Sequence, residues 1–272
     1  MRVLLSKPVL AICLAASLTG IDAAAADVLR AGGTGSSIGL LSQAGAAFTA
    51  ESGIKLEVIP SLGSTGALRA LADGKLDLAA SARPLNAQEK AAGLRQVAVL
   101  RTPFVLVTSK PNPGGLKASD LPRIFSEPKP VWADGSSMRL ILRPRSEADT
   151  ALLGAMYPGL DKAIEALRLR PEVPVAATDQ DNTRLAERMP FSLTGTTLAQ
   201  VETEKSDLHI VPLDGVAPTF ANFENGSYPY AKRLYFVVSA TGAPAALEFM
   251  KFLRSPRGLK VLREAATLPD AD

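Results

Sequence analysis

Along the first third of the chain, hydrophobic and polar positions switch between two periods. Residues 27–33 (DVLRAGG), 54–63 (IKLEVIPSLG) and 75–85 (KLDLAASARPL) have the short apolar, β-branched character of strands. Between them, residues 36–53 and 64–74 carry helically spaced apolar residues and end on Gly53 and Gly74, where a helix needs a left-handed stop. Two successive β-α-β units predict parallel strand pairing with right-handed crossovers.

The pattern then changes. Residues 98–115 (AVLRTPFVLVTSKPNPGG) form a longer apolar strand that runs out into Pro and Gly, as a segment leaving one domain for another would. A short helix follows at 118–127, capped by Ser119 or Asp120. Residues 138–159 read as strand, turn and helix, and 171–190 as strand, loop and helix. Residues 191–204, 208–215 and 233–240 follow, and 243–266 gives two helices broken by Pro256. There is no internal repeat and no low-complexity tract.

The N-terminus stands apart. Arg2 and Lys7 precede an apolar run, Val9 to Leu18, which is too short to span a membrane. Ala24-Ala25-Ala26 then supplies small residues for cleavage before Asp27, so residues 1–26 are expected to be an export signal. Cys13 follows the bulky Ile12 and lies within that run, which argues against a lipid anchor. It is the one cysteine of the chain, so the exported protein cannot depend on disulfides.

Composition narrows the chemistry. At 272 residues, 47% hydrophobic and 21% charged, the chain matches a globular protein of one large or two modest domains. Thirty Lys and Arg against 27 Asp and Glu leave a net charge of +3, and the basic residues are scattered. With aromatics at 5%, no nucleic-acid partner is expected. The single histidine, His209, sits in the alternating run DLHIVPL and reads as structural. A Cys/His zinc cluster is excluded, no cofactor or metal is expected, and no G-x-S-x-G elbow supports a secreted hydrolase.

Three strand-to-helix turns are the candidate sites. They are Thr34-Gly35-Ser36-Ser37, Ser64-Thr65-Gly66, and the stretch from Arg145 to Thr150. Each would offer unpaired backbone N–H groups at a helix start, with small hydroxyls beside them, which is anion-binding chemistry. Gly33-x-Gly35-x-x-x-Gly39 is not the dinucleotide fingerprint, and no P-loop lysine is present. Ser, Thr and Asp are also ordinary N-caps. What favours a site is three such turns in one α/β chain, since open α/β sheets bind ligands beyond the strands' carboxyl ends.

The sequence resembles the phosphate-binding-protein family of ABC-transporter substrate-binding proteins. The resemblance is carried by GTGSS, SLGSTGALRALADGKLDLAASARPL, LPRIFSEPKPVWADGSSMRLILR, LDGVAPTFANFENGSYPYAKRLYFVV and FMKFLRSPRGLKVL, in that order. It implies an α/β, two-lobed type II periplasmic-binding fold with two hinge segments. Residues 27–103 and 217–272 would form one lobe and 104–216 the other, with the ligand in the cleft. It also implies a monomer in the periplasm that delivers a small, phosphate-like anion to the membrane permease of an ABC transporter. By position, Thr34, Gly35, Ser36 and Ser37 would form the first anion loop, and Ser64 and Thr65 the second. Ser81 and Arg83 would lie beside the ligand. Arg145 and Glu147 match an Arg-x-Asp pair that grips phosphate, with Arg143 as the alternative arginine. Where that family carries Ser-Gly-Thr, this chain has Asp149-Thr150-Ala151. Asp149 would either cap its helix or repel an anion from the cleft. The competing reading is a binding-fold protein that has lost transport and serves as a sensor or interaction partner.

Overall fold

The structure is a computed structural model that describes residues 28–270; the expected export signal lies outside them. The strands are β1 (Val28–Gly33), β2 (Lys55–Ile59), β3 (Leu78–Ser81), β4 (Leu94–Thr108), β5 (Arg139–Leu140), β6 (Ser192–Thr197), β7 (His209–Val211), β8 (Ala231–Ser239) and β9 (Leu268–Pro269). They join in one mixed sheet of order β2-β1-β3-β8-β4-β6-β5, with β7 and β9 also pairing to β4. β1 pairs in parallel with both β2 and β3, as the two β-α-β units require. The crossover helices Ile38–Ser52 and Gly63–Ala72 match the apolar periodicity.

β4 joins the two halves. It has fifteen residues, which at a rise of about 3.3 Å each is roughly 50 Å of strand. Leu94 to Pro103 pairs with β8, and Phe104 to Val107 pairs with β6. The change of partner falls at Pro103, whose nitrogen carries no proton for a ladder bond. The returning chain crosses beside it: the Phe104 amide donates to the Tyr230 carbonyl at 3.0 Å, and the Tyr228 hydroxyl donates to the Phe104 carbonyl at 2.7 Å.

Two large cores lie on either side of this crossing. One packs Leu29, Leu40, Phe48 and Leu78 against Phe236, Phe249, Phe252 and Leu262. Within it the Phe48 and Phe249 rings meet edge to face at 5.2 Å, a favourable aromatic geometry. The other packs Phe104, Trp132, Tyr157, Ile164 and Leu193 with Phe223 and Tyr228. Phe223 and Tyr228 were expected in the first lobe. They pack in this core beside Phe104, before the chain returns along β8 from Ala231. Among the described residues, no helix is long and apolar enough to cross a membrane.

Candidate functional site

The first turn leaves β1 at Gly33 and is stiffened from below. The Thr34 amide donates to the Ala80 carbonyl at 2.9 Å, and the Ser37 hydroxyl donates back to the Thr34 carbonyl at 2.7 Å. Two further donors of the turn point at a carboxylate from the other half. Asp179 Oδ2 accepts from the Ser36 amide at 2.8 Å and from the Thr34 hydroxyl at 3.3 Å. All three residues are buried. Asp179 opens the helix Asp179–Arg188, whose N-cap, the Thr178 hydroxyl, accepts from the Asp181 amide. Gly35 makes the approach possible: a Cβ there would stand 2.6 Å from both Cβ and Oδ2 of Asp179.

Of the two arginines of the third turn, one is buried and one exposed. Arg143 is buried at 4% exposure and donates through Nη2 to Asp179 Oδ1 at 3.1 Å and to Glu147 Oε2 at 3.2 Å. Its Nη1 donates to the Ala176 carbonyl at 2.6 Å. Arg145 is 63% exposed and pairs with Glu165 on the surface. Thr150 turns back, donating to the Pro144 carbonyl at 3.0 Å. Asp149 does not cap its helix, Ala148–Met156, but forms a buried ion pair with Lys232 of β8.

At the second turn, the Ser64 hydroxyl oxygen accepts the Ala82 amide at 2.9 Å. Thr65 Oγ1 accepts weakly from Arg83 at 3.4 Å. Arg83 is itself held by both oxygens of Glu89, which closes a capping box with Asn86. The buried Ser81 hydroxyl donates to the Arg83 carbonyl at 2.7 Å. Ser81 therefore braces the end of β3, and its hydroxyl proton is already committed.

Two cavities flank the charged cluster. The smaller, about 140 Å³, is bordered by Gly35, Leu62, Gly63, Arg143, Glu147 and Asp179. The larger, about 680 Å³, lies between Ser64, Thr65 and Arg83 on one side and Arg145, Glu147 and Leu152 on the other, with Lys232 and Arg233 at one wall. The second and third turns thus border one cavity, and the first and third border the other.

The electrostatics of the cluster follow from burial. Burial disfavours the Asp179 charge, but Lys232, Arg143, the Ser36 amide and the Thr34 hydroxyl outweigh it and hold the carboxyl below its ordinary range. Burial pushes Asp149 upward; Lys232 opposes this and Asp179 adds to it. Glu147 is also raised, by burial first and then by Asp179 and Asp149 against the pull of Arg143. Burial works against the Lys232 charge, yet Asp149 and Asp179 keep its pKa above the ordinary value. Two buried cations thus face two buried carboxylates, with Glu147 at the edge.

Asp179 and Lys232 are absent from the residues singled out by sequence. Lys232 had a legible signal: it shares the buried strand parity of Leu234 and Phe236, an inward lysine in an apolar strand. Asp179 follows the N-cap Thr178, so local sequence accounts for it as a helix-start acid and says nothing of its partner.

The family model for a PBP superfamily domain matches residues 20–257. The chain belongs to the PBP superfamily. No curated protein matches it. Several solved structures share the fold of this PBP superfamily member. A Clostridium perfringens protein assigned to phosphate ABC transport, solved with phosphate bound, has a TM-score of 0.75 at 15% identity, over 90% of this chain and 100% of its own. A molybdate-binding periplasmic protein of Azotobacter vinelandii scores 0.61 at 14% identity, over 89% and 100% of the two chains. An ABC-type phosphate transport receptor of Vibrio cholerae scores 0.58 at 15% identity, over 89% and 99%. At these identities the likeness establishes the two-lobed, type II fold.

Proposed function

We propose that this protein is a periplasmic solute-binding protein that captures phosphate or a related small oxyanion between its lobes. It hands the anion to the membrane permease of an ABC transporter and acts as a monomer after removal of residues 1–26. The role is binding, not catalysis. One observation carries the reading: the first turn engages an oxyanion group, the Asp179 carboxylate, through the Ser36 amide and the Thr34 hydroxyl. Neutral donors of this kind hold an anion without a large buried positive cluster. The phosphate- and molybdate-binding proteins of the same fold support an oxyanion as the solute.

In this reading Thr34 and Ser36 hold the anion, Ser37 stiffens their turn through its bond to the Thr34 carbonyl, and Ser64 and Thr65 line the adjoining cavity. Arg143 takes the counter-charge role, because Arg145 is spent on Glu165 at the surface. From a bound anion, Glu147 can accept a hydrogen bond only where the anion's oxygen is protonated, which favours hydrogen phosphate over sulfate. The acidic third turn gives the alternative, a sensor or interaction partner, its one specific support. A thermal-shift panel of phosphate, phosphonates, molybdate, sulfate and small zwitterions separates the two. A solute at a hundred times its Kd stabilises the fold by about 2.7 kcal/mol. No shift with any anion, or the same shift in Thr34→Val and Ser64→Ala, which remove one hydroxyl donor from each turn, rejects the oxyanion site.

A further inference from the structure

We propose that Asp179 is a tethered competitor of the solute, a built-in carboxylate that takes the first turn's anion position and sets which anions can displace it. The inference rests on the oxyanion reading of the cleft and adds to it the residue that controls affinity.

An acid in the first turn of a helix is ordinarily explained by the helix dipole. That explanation requires no contact outside the helix. Asp179 instead reaches a turn 143 residues earlier in the chain and uses both of its oxygens there and beside it. Oδ2 takes the Ser36 amide and the Thr34 hydroxyl, and Oδ1 takes Arg143. These are the groups a bound oxyanion would need: a backbone donor, a hydroxyl and a guanidinium. The next residue completes the clasp, since Gln180 Nε2 donates to the Gly35 carbonyl at 3.0 Å. Only glycine fits position 35 at this approach, because any Cβ there would collide with Asp179. The other charges facing the group are Lys232, Asp149 and Glu147. With Asp179 ionised, they leave no net positive charge for a second anion.

Two consequences follow. A solute must first part Asp179 from the first turn, so its apparent Kd is its intrinsic Kd divided by the fraction of molecules in which the turn is free. A doubly charged anion also meets the displaced carboxylate, whereas a protonated one can donate to it. Affinity and discrimination between anions therefore depend on the same side chain.

The test is isothermal titration calorimetry of the full exported chain with inorganic phosphate and with molybdate, for wild type, Asp179→Ala and Asp179→Asn. The Asn variant keeps the shape and removes the charge, so it carries the test if the Ala variant folds poorly. The expected result is a Kd for phosphate at least about tenfold lower in both variants, with a larger gain for molybdate. Small-angle scattering without added anion should show both variants more open than wild type. A fold damaged by the substitution would not bind anions more tightly. Wild type that binds phosphate, with variants that bind equally or more weakly, overturns the inference and leaves the oxyanion reading standing. No binding by wild type or either variant overturns the reading and the inference with it. Binding only after substitution supports both.

Discussion

The buried Lys232–Asp149 pair sets a prediction whose size and sign both come from the structure. The two side chains are 3% and 4% exposed and link β8, at the crossing, to the helix of the third turn. Replacing Lys232 with Met leaves Asp149 buried without its cation. Breaking one side of such a pair costs about 3–5 kcal/mol. At about 2–4 °C per kcal/mol for a chain of this size, the melting temperature should fall by roughly 6–20 °C. The double variant, Lys232→Met with Asp149→Leu, should recover most of the loss, because a well-packed apolar pair can replace an ion pair at little cost.

The pH dependence follows from the direction of each shift. Lys232 has a raised pKa in the fold. Its contribution is therefore complete below its unfolded value of about 10.4 and is lost as pH rises through the higher folded value. In Lys232→Met the isolated Asp149 is stable only when protonated, so the deficit should shrink as pH falls toward about 4 and grow toward neutrality. Urea denaturation of wild type, both single variants and the double variant, at pH 5, 8 and 10.5, measures these terms. A loss under about 1 kcal/mol for Lys232→Met at pH 8, the range of exposed pairs, would refute a buried pair at this position.

Other substitutions separate surface from site. Arg143→Ala leaves Asp179 without its nearest cation and should destabilise the fold by about 3–5 kcal/mol in denaturant titration. Arg145→Ala, on the exposed Glu165 pair, should leave the melting temperature and phosphate affinity unchanged. Phe48→Ala removes a ring packed against Phe249 and Phe252 and should cost about 3–5 kcal/mol by the same measurement, with phosphate affinity retained in the folded fraction.

What the sequence conveyed depends on how local the determining contact is. The β-α-β units were legible because each helix and strand buries one periodic face, and that periodicity is written into adjacent residues. The crossing was legible too, as an unbroken apolar run through Phe104 to Val107, where all four side chains are buried. The choice between Arg143 and Arg145 was not. Leu140, Ile141, Leu142 and Arg143 are buried in succession, and a segment covered on every side gives no alternation to read. The placement of Phe223 and Tyr228 was equally hidden, since apolar residues after a turn can serve either neighbouring core. The Asp179 contact was the least accessible. It joins two helix starts far apart in the chain, and each looks complete as an ordinary cap. Lys232 could have been found, because an inward lysine in an apolar strand needs a buried anion, and Asp149 was already under suspicion as one.

The central claim is that an oxyanion binds at the first turn in place of Asp179, and a crystal structure grown with phosphate tests it directly. Tetrahedral density should lie within hydrogen-bond distance of the Ser36 amide and the Thr34 hydroxyl, with the Asp179 carboxylate moved off both. Phosphate density elsewhere, or none, with Asp179 still accepting from Ser36 and Thr34, would contradict the account.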